Sequence, residues 1–222
     1  MKKRSYQQFC PLAYSLDLIG ERWTLLIVRE LSLGPRRYSD LQRGLPGIGP
    51  NLLSNRLKEL EQASIVERIY LPPPAKVTAY GLRKRGRSLL QALAPLAQWG
   101  MAFMTMPPPE VHFVSPIATM GSLNSLFHPP SASNVTVEIQ MPPDIFYVQI
   151  ADGQIAIAQG KANAPSLILQ TEPRPLLAVW SPAVPVDMAL AREEVVIVKG
   201  ETAVLEQFAQ QFRPFDANTG KQ

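Results

Sequence analysis

Three consecutive prolines, Pro107-Pro108-Pro109, constrain most what this chain can fold into. They offer no backbone N–H donors and hold φ near about −65°, so neither a helix nor a central strand crosses them. Such a run is an extended, semi-rigid connector. The charge changes sign at the same place. Residues 1–100 carry 16 Lys and Arg against 7 Asp and Glu, a net +9, whereas residues 101–222 carry 6 against 11, a net −5. Two modules with different partners are expected: a domain over 1–106, a linker over 107–110, a second domain over 111–214 and a flexible tail over 215–222. With 46% hydrophobic and 18% charged residues, both modules have the material for a buried core.

The same composition excludes several classes. No apolar run approaches the ~20 residues that span a bilayer. Met1-Lys2-Lys3-Arg4 leads into polar Ser5-Tyr6-Gln7-Gln8, not into an apolar signal core. One cysteine builds no disulfide framework within the chain. His112 and His128, lying 16 positions apart, and that cysteine leave little for a zinc site or a nucleophile–base pair. A cytoplasmic protein is expected, neither an enzyme nor a membrane or metal protein, with no cofactor and no catalytic residues.

In the basic half, Leu12, Leu16, Ile19, Trp23 and Leu26 recur at the helical period, and Gly20 divides them into two helices. The second is predicted over Glu21–Leu31, stopping at Gly34-Pro35. Tyr38–Leu45 reads as a short helix with Ser39 as a possible N-cap. Pro46-Gly47-Ile48-Gly49 is a turn, and Pro50 suits the first position of a helix that runs to Ala63. Two β-like runs follow, Ile65–Leu71 and Lys76–Leu82, around a Pro72-Pro73-Pro74-Ala75 tip. A last helix spans Gly86–Met104, with a wide apolar band and a kink expected at Pro95.

The acidic half reads as a helix over Val111–Phe127, then β runs at Val135–Met141, Ile145–Ala151, Gln154–Ala158 and Leu167–Thr171. Asp152-Gly153 is a strong hairpin signal. Helices are predicted at Arg174–Trp180, Val186–Ala191 and Glu201–Arg213, with a strand at Val195–Val198. The expected fold is α+β: a winged helix-turn-helix domain, then an antiparallel-type sheet covered by helices.

Helix, turn, helix and hairpin is the order in which a second helix enters the DNA major groove. Setting Asn51 at 0° and stepping about 100° per residue places Ser54 near 300°, Asn55 near 40° and Lys58 near 340°. Leu53, Leu57 and Leu60 fall near 200°, 240° and 180° on the other face. Asn suits adenine, Lys suits guanine and Ser is permissive. Arg56 lies between the faces, as a phosphate contact or an internal ion-pair former. Arg36, Arg37 and Tyr38 sit where the preceding helix would cross the DNA backbone, and Lys76 stands beside the hairpin tip. An ordinary solvated helix face is the alternative, and the +9 balance favours double-stranded DNA.

The blocks Cys10-Pro11-Leu12, Leu18-Ile19-Gly20-Glu21-Arg22-Trp23-Thr24-Leu25-Leu26-Ile27, Leu33-Gly34-Pro35-Arg36-Arg37-Tyr38-Ser39-Asp40-Leu41, Leu45-Pro46-Gly47-Ile48 and Leu53-Ser54-Asn55-Arg56-Leu57-Lys58-Glu59-Leu60-Glu61, through Trp99-Gly100, resemble the HxlR-type winged-helix regulators over residues 6–104. The resemblance implies a MarR-like, homodimeric bacterial transcription regulator, such as a repressor, on an inverted repeat. Its first and last helices would pair through Leu12, Leu16, Leu89, Leu93, Leu96, Trp99 and Met101. Two positions depart from the family pattern. Gly49 stands where a capping Ser is usual, and Leu82-Arg83-Lys84-Arg85-Gly86 replaces the usual Leu-Thr. Those added charges serve phosphate contacts or a solvated turn, and both readings stay open. Cys10 matches a cysteine that senses oxidants or electrophiles in redox-responsive members. A buried structural thiol is its other reading.

The segments Gln149–Ile157, Ala164–Thr171 and Val195–Glu201 resemble a sterol-carrier-type (SCP2-like) domain. That resemblance implies an apolar site for a hydrophobic small-molecule effector, lined by Phe113, Leu126, Phe127, Phe146, Leu177, Trp180, Met188, Phe208 and Phe212. The alternatives are plain core aromatics in a structural or protein-binding domain, or a lipid carrier with an incidental basic half.

Overall fold

The computed structural model describes residues 5–72, 76–105, 108–128, 134–179 and 186–212. The chain divides into two compact units, Met1–Leu93 and Ala94–Gln222. The divide falls inside a helix, after the last residues, Leu89, Leu90 and Leu93, that pack on the first core. Of the proline run expected as the linker, Pro108 and Pro109 fall in the second unit, and Pro107 lies outside the described residues.

The first unit contains α1 (Pro11–Ile19), α2 (Thr24–Glu30), α3 (Tyr38–Gly44), α4 (Pro50–Gln62), β1 (Val66–Leu71), β2 (Val77–Leu82) and the start of α5 (Lys84–Met101). Gly20 ends α1, as its position in the apolar pattern suggests. α2 starts later than expected because Trp23 takes a left-handed φ of 78°, which no regular helix admits. Ser39 caps nothing. Arg37 is the N-cap residue of α3, and its N–H donates to Asp40 Oδ2 at 3.3 Å. β1 and β2 form an antiparallel hairpin running from Val66↔Leu82 to Leu71↔Val77. Arg36 adds a third backbone to it, exchanging hydrogen bonds with Tyr80 at 2.9 and 2.7 Å. The core draws Ile27 and Val28 from α2, Leu31 just after it, Leu41 from α3, Leu53 and Leu57 from α4, Val66 from β1 and Leu82 from β2.

The second unit contains the rest of α5, then α6 (Pro116–Leu126), β3 (Val135–Met141), β4 (Asp144–Ala151), β5 (Gln154–Gln159), β6 (Leu167–Thr171), α7 (Pro173–Val179), α8 (Val186–Ala191), β7 (Val195–Lys199) and α9 (Thr202–Ala209). α6 begins at Pro116 and not at Val111. Proline suits only a first turn, and the Ser115 side chain accepts from Ala118 N–H at 3.2 Å to cap it. Upstream, Arg174 donates to the carbonyls of Pro109 at 3.1 Å and His112 at 2.8 Å, and also to that of Pro108, fixing a non-helical path.

The five strands lie in the order β5-β4-β3-β6-β7. The sheet expected to be antiparallel is mixed, because β6 pairs parallel to β3. After the β4–β5 hairpin the chain must cross back to the far side of β3, and it arrives in the same direction as β3. Cross-strand rows such as Val148–Val137–Leu167 and Phe146–Ile139–Leu169 build one buried face. α6 adjoins β5, and α8 adjoins β7. No described helix is long and apolar enough to cross a membrane.

Candidate nucleic-acid interface

α4 is two-faced in the way its sequence requires. Leu53, Leu57 and Leu60 are buried, while Asn51, Ser54, Asn55 and Lys58 are exposed. Pro50 opens the helix at a position whose N–H would have no partner. Gly49 at the N-cap supplies no side chain, so the helix start is held from elsewhere. The Tyr38 hydroxyl donates to the Pro50 carbonyl at 2.8 Å, and Ser54 Oγ donates to Tyr38 Oη at 3.4 Å. Tyr38 therefore joins α3 to the first turn of α4, and Ser54 is turned partly toward that joint. Asn51, Asn55 and Lys58 offer their polar groups outward.

Arg56 is an internal ion-pair former. Its guanidinium donates to Glu21 at 2.8 Å and to Glu59, and its side chain is 14% exposed. Glu21, from the turn between α1 and α2, was not singled out by the sequence pattern.

Arg36 requires a correction. Expected against a phosphate backbone, it is 2% exposed and lies 4.0 Å from Glu30, which is fully buried. Its backbone pairing with Tyr80 draws the side chain inward. Arg29 also donates to Glu30, at 2.7 Å. Gly44 completes this arrangement, since a Cβ there would stand 2.3 Å from Glu30 Oε2. The signal for Glu30 was in the sequence: it falls three residues after buried Ile27, on the core-facing stripe of α2. Arg37 is exposed beside it, and Lys76 is exposed next to the tip residues 73–75, which lie outside the described residues.

Other candidates scatter by environment. Leu12, Leu16, Leu96 and Trp99 are exposed at 66%, 39%, 49% and 66%, and Leu89, Leu93 and Met101 are half-buried. Cys10 is a free, half-buried thiol at the N-cap of α1. In the second unit Leu126, Phe146, Phe208 and Phe212 are buried, Phe127 and Leu177 are half-buried, and Phe113 and Met188 are exposed. Phe212 packs edge-on against Phe208 and near Phe127, with ring centroids 5.1 and 6.0 Å apart. Phe113 is exposed beside the Arg174-bound segment, and Trp180 lies outside the described residues. No group of three metal-ligating side chains occurs among the described residues.

Residues 18–107 match the HxlR-like helix-turn-helix family. The chain is 40% identical over 93 residues to an uncharacterized HTH-type transcriptional regulator of Mycobacterium tuberculosis, covering 42% of this chain and 58% of that protein. It therefore spans little more than half the length of that relative. It is 36% identical over 95 residues to the HTH-type transcriptional regulator YodB of Bacillus subtilis, covering 42% of this chain and 85% of YodB. The solved structure of reduced YodB is 35% identical, with 46% of this chain and all of that chain covered at a TM-score of 0.38.

Proposed function

Since the chain belongs to the HxlR-like helix-turn-helix family, we propose that it is a transcriptional regulator that binds duplex DNA as a homodimer on an inverted repeat. The observation that carries this reading is the two-faced α4, which docks three leucines and presents Asn51, Asn55 and Lys58. In the major groove these side chains meet base edges, while Arg37 and Lys76 meet phosphates. Arg56 acts behind them, holding the flank of α4 to Glu21. A second copy would bury the apolar side chains that α1 and α5 leave in solvent. It would set two recognition helices about 34–36 Å apart.

Fluorescence anisotropy of the full-length protein with its own upstream region tests this reading. Expected is a saturable, salt-sensitive complex that an unrelated duplex competes for weakly. Equal binding of both duplexes, or none, overturns it and leaves the hydrophobic-carrier alternative.

The second unit is proposed as an effector domain for an apolar small molecule, supported by its aromatic interior of Phe146, Phe208 and Phe212. Native mass spectrometry and solvent extraction of the purified protein test it. A persistently empty unit would make it structural or protein-binding. A second reading places sensing at Cys10, favoured by its half-exposed position at a helix N-terminus. An unmodified Cys10 after diamide treatment, with DNA binding unchanged, would end that reading.

A further inference from the structure

The added charges before α5 line a cleft of about 660 Å³, bounded by Arg83, Lys84, Arg85 and Arg87 together with Ser64 and Glu67. Four cations face one carboxylate, and the lining contains no aromatic ring to stack on and no neutral amide. We propose that this cleft is a binding site for a compact polyphosphate, of the pyrophosphate or tripolyphosphate class, recognised through its phosphate oxygens.

The cleft is held in shape before any ligand arrives. Arg83 Nε donates to Glu67 at 3.2 Å, Arg85 donates to the Ala63 carbonyl at 3.3 Å, and Arg87 donates to the Leu82 carbonyl. Each guanidinium is thus anchored through one nitrogen and keeps further N–H donors, since Arg carries five. Ser88 Oγ donates to the Arg85 carbonyl and fixes the same turn. Lys84 is exposed, has no partner among the described residues and adds a further cation. Gly86 sets the turn itself: a Cβ there would stand 2.4 Å from the Ile65 carbonyl and 2.9 Å from Leu82 Cδ2. Only glycine lets α5 start this close to the hairpin root. Anchored cations lose little side-chain entropy on binding, which favours affinity.

Position separates this cleft from the groove-reading side chains. Ser64 follows the end of α4, about 20 Å along that helix from Asn51 at 1.5 Å per residue. Glu67 and Arg83 stand at the Val66↔Leu82 end of the hairpin, about 17 Å by strand rise from its tip. The absence of a stacking partner among the lining residues favours a bare polyphosphate over a nucleotide, and four cations converging on one cleft favour it over one phosphate of a duplex. A bound polyphosphate would cancel much of the local positive field. It would thereby lower long-range attraction for DNA without touching α4.

Isothermal titration of the full-length protein with sodium pyrophosphate at about 0.15 M salt tests the site, where exposed charges more than about 8 Å apart are screened. Lys84→Gln is the first variant, because Lys84 holds nothing in the fold; Lys84→Gln/Arg85→Gln is the second. The expected result is binding tighter than that of orthophosphate. It weakens several-fold in the single variant, whose urea midpoint is unchanged, and by about tenfold or more in the double variant. No pyrophosphate binding, or equal binding in all three proteins, overturns the proposal. So does loss of DNA affinity with a shallower salt slope in variants of a protein that ignores pyrophosphate, which would make the cleft a DNA-backbone contact. Pyrophosphate binding is read without DNA, so failure of this site and failure of the DNA reading are distinguishable.

Discussion

Arg36 and Glu30 meet in the interior of the first unit, where a charge survives only if it is paired. Removing one partner of such a pair costs about 3–5 kcal/mol, because the other is left charged without it. Arg36→Ala should therefore lower the stability of the first unit by about 3 kcal/mol in urea titration, with Arg29 retaining part of the hold on Glu30. A change below about 0.5 kcal/mol, the range of ordinary surface substitutions, would show that the pair carries no stability. On the exposed face of α4, under the proposed DNA reading, Asn51→Ala and Asn55→Ala should each cost about 1–3 kcal/mol on the preferred sequence and relax the choice of base. Specificity untouched in the double variant would remove these side chains from base reading. Arg37→Ala should weaken all sequences alike and flatten the salt slope by about one unit. The faces of α4 were legible in the sequence because helical spacing alone separates three leucines from four polar residues. Arg36 was not, since adjacent arginines look alike in a sequence. It is the hydrogen-bonded pairing with Tyr80 that sends one of them inward.

Elements add constraints that single residues do not. α4 is fixed at its first turn by Tyr38 and on its flank by the Glu21–Arg56 pair, so its angle to the rest of the unit is set from two sides. Glu21→Ala leaves α4 folded and removes one of those ties. Its expected effect is a loss of sequence discrimination with nearly unchanged stability, read by anisotropy beside a thermal melt. α1 and α5 carry the opposite signature, apolar side chains without protein cover. Leu12, Leu96 and Trp99 on these helices are 49–66% exposed, and Phe9 before α1 and Phe103 after α5 are exposed as well. Large exposed apolar patches mark interaction surfaces. Combining Leu12→Glu with Trp99→Glu should shift the proposed dimer to a monomer in size-exclusion chromatography with light scattering. An unchanged mass would place the dimer contact elsewhere.

For the whole molecule, element order was the most readable level. Gly20, Pro50, Pro116 and Asp152-Gly153 punctuate helices and strands in ways that follow from φ restrictions and missing donors. Strand partnership was not readable, because the parallel β3–β6 pair joins segments thirty residues apart and leaves no local trace. Nor did the sequence announce Arg174, whose guanidinium gathers the carbonyls that the proline-rich segment has no N–H groups to pair with. Arg174→Ala should speed proteolysis and amide exchange across residues 108–115. Protection left unchanged would mean that other contacts hold that segment.

The strand order also has a consequence in time. As the chain leaves the ribosome, every residue of the first core, ending with Leu93, is present before β3 begins at Val135. The five-stranded sheet, by contrast, stays open-edged at β6 until β7 is made, close to the end of the described chain. Domains generally fold as units in the order of their synthesis. The helix-turn-helix unit thus has its whole core available while the second unit's sheet still lacks β7, and a translation product truncated between Leu93 and Val135 would carry the first core without that sheet.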